Sequence, residues 1–173
     1  MASRPLALIA AAWLAACTPA LDWRQVRLEH GGASLLFPCR PSSQVRQVAL
    51  GAARVEMTVL ACRAAGATFA LGCADVADPA RVGPALEALR VAALANLQGV
   101  AEATAPARIK GMSPQPGALR LRIAGSKPAG DAAHMATAVF AAGTRVYQAS
   151  VVAGERLDEA AVDTFLDAIE LRS

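Results

Sequence analysis

From Val26 onward the sequence is written in short alternating segments cut by Gly and Pro, a pattern suited to an antiparallel β-sheet with tight turns. Val26 and Leu28 alternate with Arg27 and Glu29, Gly31 and Gly32 follow, and "ASLLFP" returns, which predicts a hairpin. Val45, Val48 and Leu50 predict a further extended piece. "RVEMTVLAC" (54–62) and "ATFALGCADV" (67–76) flank Ala64, Ala65 and Gly66 as a second hairpin. "ARIKGM" and "ALRLRIA" read as strands around the loop "SPQPG", and "HMATAVFAAGTRVYQASVVAG" reads as two strands turning at Ala142 and Gly143. All of these strands are expected in one antiparallel sheet.

Two segments switch to the helical period. In "PALEALRVAALANLQG", Leu86, Leu89, Ala93 and Leu97 recur at spacings of a helix face, and Gly99 stops the run. Gly83 and Pro84 would put a proline inside the ladder of a helix begun at Asp78 and Pro79, so the regular helix is expected from 84, with 79–82 as a turn. Asp158 is positioned to cap a final helix in which Val162, Phe165, Leu166 and Ile169 form one stripe and Leu157 packs on Val162. About seven strands and two main helices make an α+β fold, an antiparallel sheet covered by helices. With 173 residues, 55% of them hydrophobic, the chain is sufficient for one domain with its own core.

The N-terminus is organised differently. One basic residue, Arg4, precedes an apolar run from Leu6 to Ala16 that ends in small side chains, the arrangement of a secretory signal peptide. A membrane-spanning helix needs about 20 apolar residues, and Asp22, Arg24 and Arg27 follow too soon to supply them. Leu14, Ala15, Ala16 and Cys17 resemble a bacterial lipobox, in which cleavage before the cysteine is coupled to acylation of its sulfur and amine. Residues 1–16 are therefore expected to be removed, Cys17 to carry covalent lipid, 17–24 to form a tether and 25–173 to form a single periplasmic domain. Several acyl chains, each buried CH₂ contributing about 0.8 kcal/mol, make such attachment effectively permanent. Thr18 follows the cysteine, and the lipoprotein pattern directs a chain without Asp there to the outer membrane. Trp23, with Arg24 and Arg27 nearby, either sits at a lipid or partner interface or packs against the sheet.

Three cysteines remain beyond Cys17, an odd number for an oxidising compartment. Cys39 closes the first hairpin and Cys62 lies near a turn, so these two are expected to pair. Cys73, inside an apolar strand, is expected to stay a small hydrophobe, with Cys39 to Cys73 as the alternative pairing. A bridge closing the 39–62 loop contributes roughly 3 kcal/mol in the chain-entropy account.

Little else carries chemistry. The formal net charge is +3 with cations dispersed singly, which argues against nucleic acid. His30 and His134 stand alone, without the spacing of a metal site, so neither a metal nor another bound cofactor is expected. Ser126 lies in "AGSKP", outside any nucleophile-elbow pattern, and neighbouring Lys127 makes at most a Ser/Lys pair on paper. Gly31 and Gly32 do not open a helix and form no phosphate cradle. Asp75, Asp78, Asp158, Asp163 and Asp167 read as turn and helix-terminus residues.

Taken in order, "LLFPCRP", "TFALGCADVADP", "ALEALRVAALANLQG", "RVYQASVV" and "VDTFLDAIEL" resemble successive parts of the DcrB-like and PsbP-like bacterial lipoproteins, roughly over residues 24–171. The resemblance implies a PsbP-like sandwich that acts as a periplasm-facing binding or assembly module, with no catalytic residue to carry over. Cys39 and Cys62 are additions to that pattern, and the acidic or histidine clusters of its metal-binding plant members have no counterpart. The expected function is a non-enzymatic, outer-membrane-anchored lipoprotein that binds another envelope protein. The alternatives are a carrier holding a small apolar molecule between sheet and helix, and a hydrolase acting through Ser126 or His134 if those side chains meet a third partner in a pocket.

Overall fold

A computed structural model of the chain describes residues 20–29, 32–127 and 129–172. Cys17, the lipobox, His30 and Gly31 lie outside the described residues. The architecture is α+β, as expected from the sequence, but the strands divide between two sheets. β1 (Arg24–Leu28) and β2 (Ala33–Phe37) form the first hairpin, and β10 (Glu170–Leu171) pairs antiparallel with β2 on its other side. β3 (Ser42–Leu50), β4 (Ala53–Ala64), β5 (Ala67–Asp75), β6 (Val100–Pro106), β7 (Leu119–Ser126), β8 (Ala132–Ala142) and β9 (Arg145–Ala153) form a seven-stranded antiparallel sheet in the order β3-β4-β5-β9-β8-β7-β6. The expectation of a single sheet fails at Pro38 and Pro41. Neither has an N–H to extend a ladder, so the chain leaves the small sheet after Phe37 and crosses to the edge of the large one.

Both faces of the large sheet are buried by different partners. α1 (Pro79–Asn96) packs Val82, Ala85, Leu86, Leu89 and Ala93 against one face, where Met57, Ile123, Val139 and Val146 meet them. On the other face, α2 (Glu159–Asp167) and the small sheet bring Val162, Phe165, Phe37 and Leu35 onto Phe69, Leu71, Phe140 and Val151. The central strands β8 and β9 are thus covered on both sides, which explains their long apolar runs and their many alanines, small enough for two close layers.

α1 begins a turn earlier than expected. Asp78 caps it by accepting from the Ala80 N–H at 2.9 Å and Pro79 takes the first helical position, where a missing N–H is harmless. Pro84 then sits inside the helix, at a cost of about 3 kcal/mol. Burial of Val82, 1% exposed, offsets much of that, since a buried valine contributes about 1.5–3 kcal/mol. The helix periodicity read from 84 onward was correct. The turn assigned to 79–82 is corrected, because the cap and the buried valine lie on the N-terminal side of the proline.

"ARIKGM" is corrected too: its only ladder contact is an isolated bridge from Lys110 to Glu170, and the strand beside β7 is the preceding Val100–Pro106. Every residue of β6 is exposed, so no alternation marks it in the sequence. The hairpins at Ala65–Gly66 and Gly143 are as expected. Ala65 (φ 47°) and Gly66 (φ 77°) both adopt the left-handed region, as a two-residue hairpin turn with the twist of the strands requires. α2 matches its reading at its start and along its stripe, where Asp158 accepts from the Ala161 N–H at 3.2 Å and Val162, Phe165 and Leu166 are buried, but it ends at Asp167, so the buried Ile169 lies past the helix.

Candidate functional site

The small sheet and α2 do not cover the whole of the face they pack on. In β4, Leu60 faces that core, but the residues two and four positions earlier on the same face, Thr58 and Glu56, are polar. Their register partners on β3 are Val45 and Gln47, both exposed. The bare corner forms a cleft of about 420 Å³ whose floor is Leu60, Thr58 and Ser43 and whose far wall is Cys73 and Asp75 on β5. Arg27, Leu28 and Glu29 close one side from the end of β1, and Arg145 of β9 closes another.

Two titratable groups of this cleft are shifted from their ordinary values. Burial pushes the Cys73 thiol up from 9.0 to about 11, against a smaller opposing effect from its hydrogen bond with Tyr147, so it is protonated at neutral pH and a poor nucleophile. Asp75 is held below its ordinary value, first by a side-chain hydrogen bond from Thr144 and then by the Ala77 N–H at 2.8 Å. It is an ionised acceptor committed to the turn before α1. Arg27, Glu29, Glu56, Asp75 and Arg145 line the cleft together with Leu28 and Leu60, Arg145 standing beside Asp75 in the register of β5 and β9.

The thiol shift has a consequence for stability. A group whose folded value lies above its unfolded value stabilises the fold below the unfolded value, and that contribution is lost as pH rises through the interval. Stability is therefore expected to fall between pH 9 and 11, with Tyr147, also raised by burial, extending the fall at higher pH. Chemical unfolding at stepped pH should show a shallower decline over that interval in Cys73→Ala. The same slope in both proteins would mean that the thiol is not the titrating group.

The expected disulfide is present: Cys39 and Cys62 are bonded, with Cα atoms 6.0 Å apart, and Cys73 is free and buried. The bridge ties the crossover after β2 to β4, where Cys62 shares the face of Leu60. Trp23 packs half-buried against the core, edge-on to Phe69 with ring centroids 6.2 Å apart. Arg24 pairs with Asp22, whose N–H donates to the Pro38 carbonyl at 2.8 Å, so the described end of the tether is already tied to the domain.

His134 lines a separate cleft of about 210 Å³ with Glu155, Arg156 and Glu159, which Ser126 does not reach. Ser126 ends β7, and its N–H donates to the Leu97 carbonyl at 2.7 Å. Lys127 is exposed. Ser126 and His134 therefore do not line one cleft. Asp78 and Asp158 act as the helix caps that their reading as helix-terminus residues implies, whereas Asp163 lies within α2 and Asp167, at its last position, pairs with Arg120 at 2.5 Å, a contact the sequence did not announce. Among the described residues, no group of three or more His, Cys, Asp or Glu side chains is placed to hold a metal ion. Among the same residues, no helix is long and apolar enough to cross a membrane. Of the cleft residues, Arg27 was noted only as a neighbour of Trp23, and Glu29, Glu56, Thr58, Asp75 and Arg145 were not singled out by the sequence as a site; the signal available was polar Glu56 and Thr58 on a face that Leu60 predicts to be buried. The sequence matches no family model and no curated protein.

Proposed function

We propose that the chain is a lipid-anchored envelope protein, held in the outer membrane through Cys17, whose α+β domain is a non-catalytic binding or assembly module in the periplasm. The observation that carries this reading is the lipobox Leu14–Cys17, with its apolar run, leading into a disulfide-stapled domain. An oxidising compartment is where such a bridge forms and persists. A cleft lined by fixed charges and a protonated thiol supports binding as its role, with an envelope protein as partner. The antiparallel sheet between helices is also the architecture implied by the resemblance to the DcrB-like and PsbP-like lipoproteins.

The test is to express Cys17→Ser beside the native sequence in the native host. The native protein is expected to fractionate with membranes and to carry a lipid mass on the peptide beginning at Cys17, whereas the variant is released. Membrane association unchanged by the substitution, with no lipid mass on the native protein, would remove the anchor. Purification in mild detergent should then recover a stoichiometric partner protein.

One observation favours the carrier reading as the alternative. Between β6, β7 and α2 lies a cleft of about 220 Å³ lined by Ala103, Ala105, Ala136 and Leu166, with Arg120 and Arg122 also on its wall. Small side chains there leave room for an apolar molecule between sheet and helix. Native mass spectrometry that found a small hydrophobic ligand, and no protein partner, would favour the carrier.

A further inference from the structure

We propose that the free edge of β3 receives an extended segment of the partner protein as an eighth strand of the large sheet, and that alternate side chains of that segment enter the cleft beside Thr58 and Leu60. The proposal rests on the binding-module reading and names how the module binds. The two edges of the large sheet are not alike. β6 ends in Pro106, carries a register shift between Ala101 and Ala103, and so is poorly suited to a further ladder. β3 runs unbroken from Ser42 to Leu50, in continuous register with β4 and without proline or bulge. Its outward N–H and C=O groups form an edge template of the kind that added strands use.

The faces of β3 specify what the added strand should carry. Ser43, Val45 and Gln47 stand on the cleft side, and Val45 is 57% exposed, so an apolar side chain beside it would gain burial. On the opposite face Arg46, the only charged residue of β3, lies across from Met57 of β4 and bonds Gln44 at 2.6 Å. No carboxylate of β3 or β4 stands opposite it. An acidic residue on the added strand would supply that partner. A strand of acidic and apolar residues on alternate faces therefore fits the edge, whereas a second copy of β3 centred on Arg46 would place two guanidinium groups together.

The test is photo-crosslinking in the native envelope, with benzoylphenylalanine placed singly at Ser43, Val45 and Gln47. Val100, on the other edge, and Val91, exposed on α1, serve as controls. The three β3 probes are expected to mark residues two apart along one segment of one protein, with an acidic residue on the alternate face. Arg46→Glu is expected to lower the yield about tenfold without moving the melting temperature, since Arg46 is exposed. Crosslinks at scattered partner positions, to a second copy, to lipid, or unaffected by Arg46→Glu would overturn strand addition. Crosslinks to a partner at Val91 or Val100 instead would overturn it while leaving the binding module standing, and no protein crosslinked at any position would remove both.

Discussion

Phe165→Ala is expected to lower the unfolding free energy by about 4 kcal/mol, within the range for deleting a buried phenylalanine. Phe165 is fully buried, and its ring meets Phe37 at 5.2 Å and 74° and Phe69 at 5.4 Å and 73°. It therefore joins three elements: α2 that carries it, β2 of the small sheet, and β5 of the large one. Alanine forfeits the transfer energy of the ring, leaves a cavity that rigid β-layers close poorly, and removes two edge-to-face contacts. For a domain with a typical total stability of about 5–15 kcal/mol, that is a large share. Guanidinium unfolding should show a lower midpoint at unchanged slope, and Phe165→Leu, which keeps most of the volume, should cost less than about 1.5 kcal/mol. A loss below about 1 kcal/mol for the alanine variant would mean that α2 is not seated between the two sheets as described.

α2 was legible for the same reason that Phe165 matters. Its stripe, its Asp158 cap and the staple at Leu157 all state locally where the helix starts and which side is buried. The hairpins of β4 with β5 and β8 with β9 were legible because short turns pair neighbouring strands. What failed was non-local or without period. β10 is two residues long and pairs with β2 from the far end of the chain, and nothing in Glu170–Leu171 alone announces a sheet. β6 is exposed throughout, so hydropathy carried no signal there. α1 lost its first turn to a rule about proline that burial of Val82 overrode. The cleft escaped for a further reason: it exists because the small sheet stops short of β3, and its charged residues come from β1, β4, β5 and β9. Cys39 and Cys62 were found by redox arithmetic and placement, which do not depend on the topology.

That bridge sets the second large effect. The Cys39→Ala/Cys62→Ala double variant is expected to lose roughly 3 kcal/mol, because a cross-link over a sequence separation of 23 removes loop-closure entropy from the unfolded chain. The double variant is the cleaner choice, since a single substitution leaves one thiol able to pair with Cys73 in the unfolded state. If the stabilisation acts through the unfolded ensemble, the variant should expose more surface on unfolding and show a steeper denaturant dependence as well as a lower midpoint. Reducing the native protein should reproduce both changes. The bridge also acts in the folded state: Cys39 lies three residues before Ser42, so it fixes where the chain enters β3 and hence the edge beside the cleft. Hydrogen exchange in the double variant should rise first in the amides of β3 that pair with β4, while β5, β8 and β9 keep their protection. Loss of stability with β3 exchange unchanged would assign the bridge to the unfolded chain alone. Unchanged stability on reduction would remove it as a determinant of the fold.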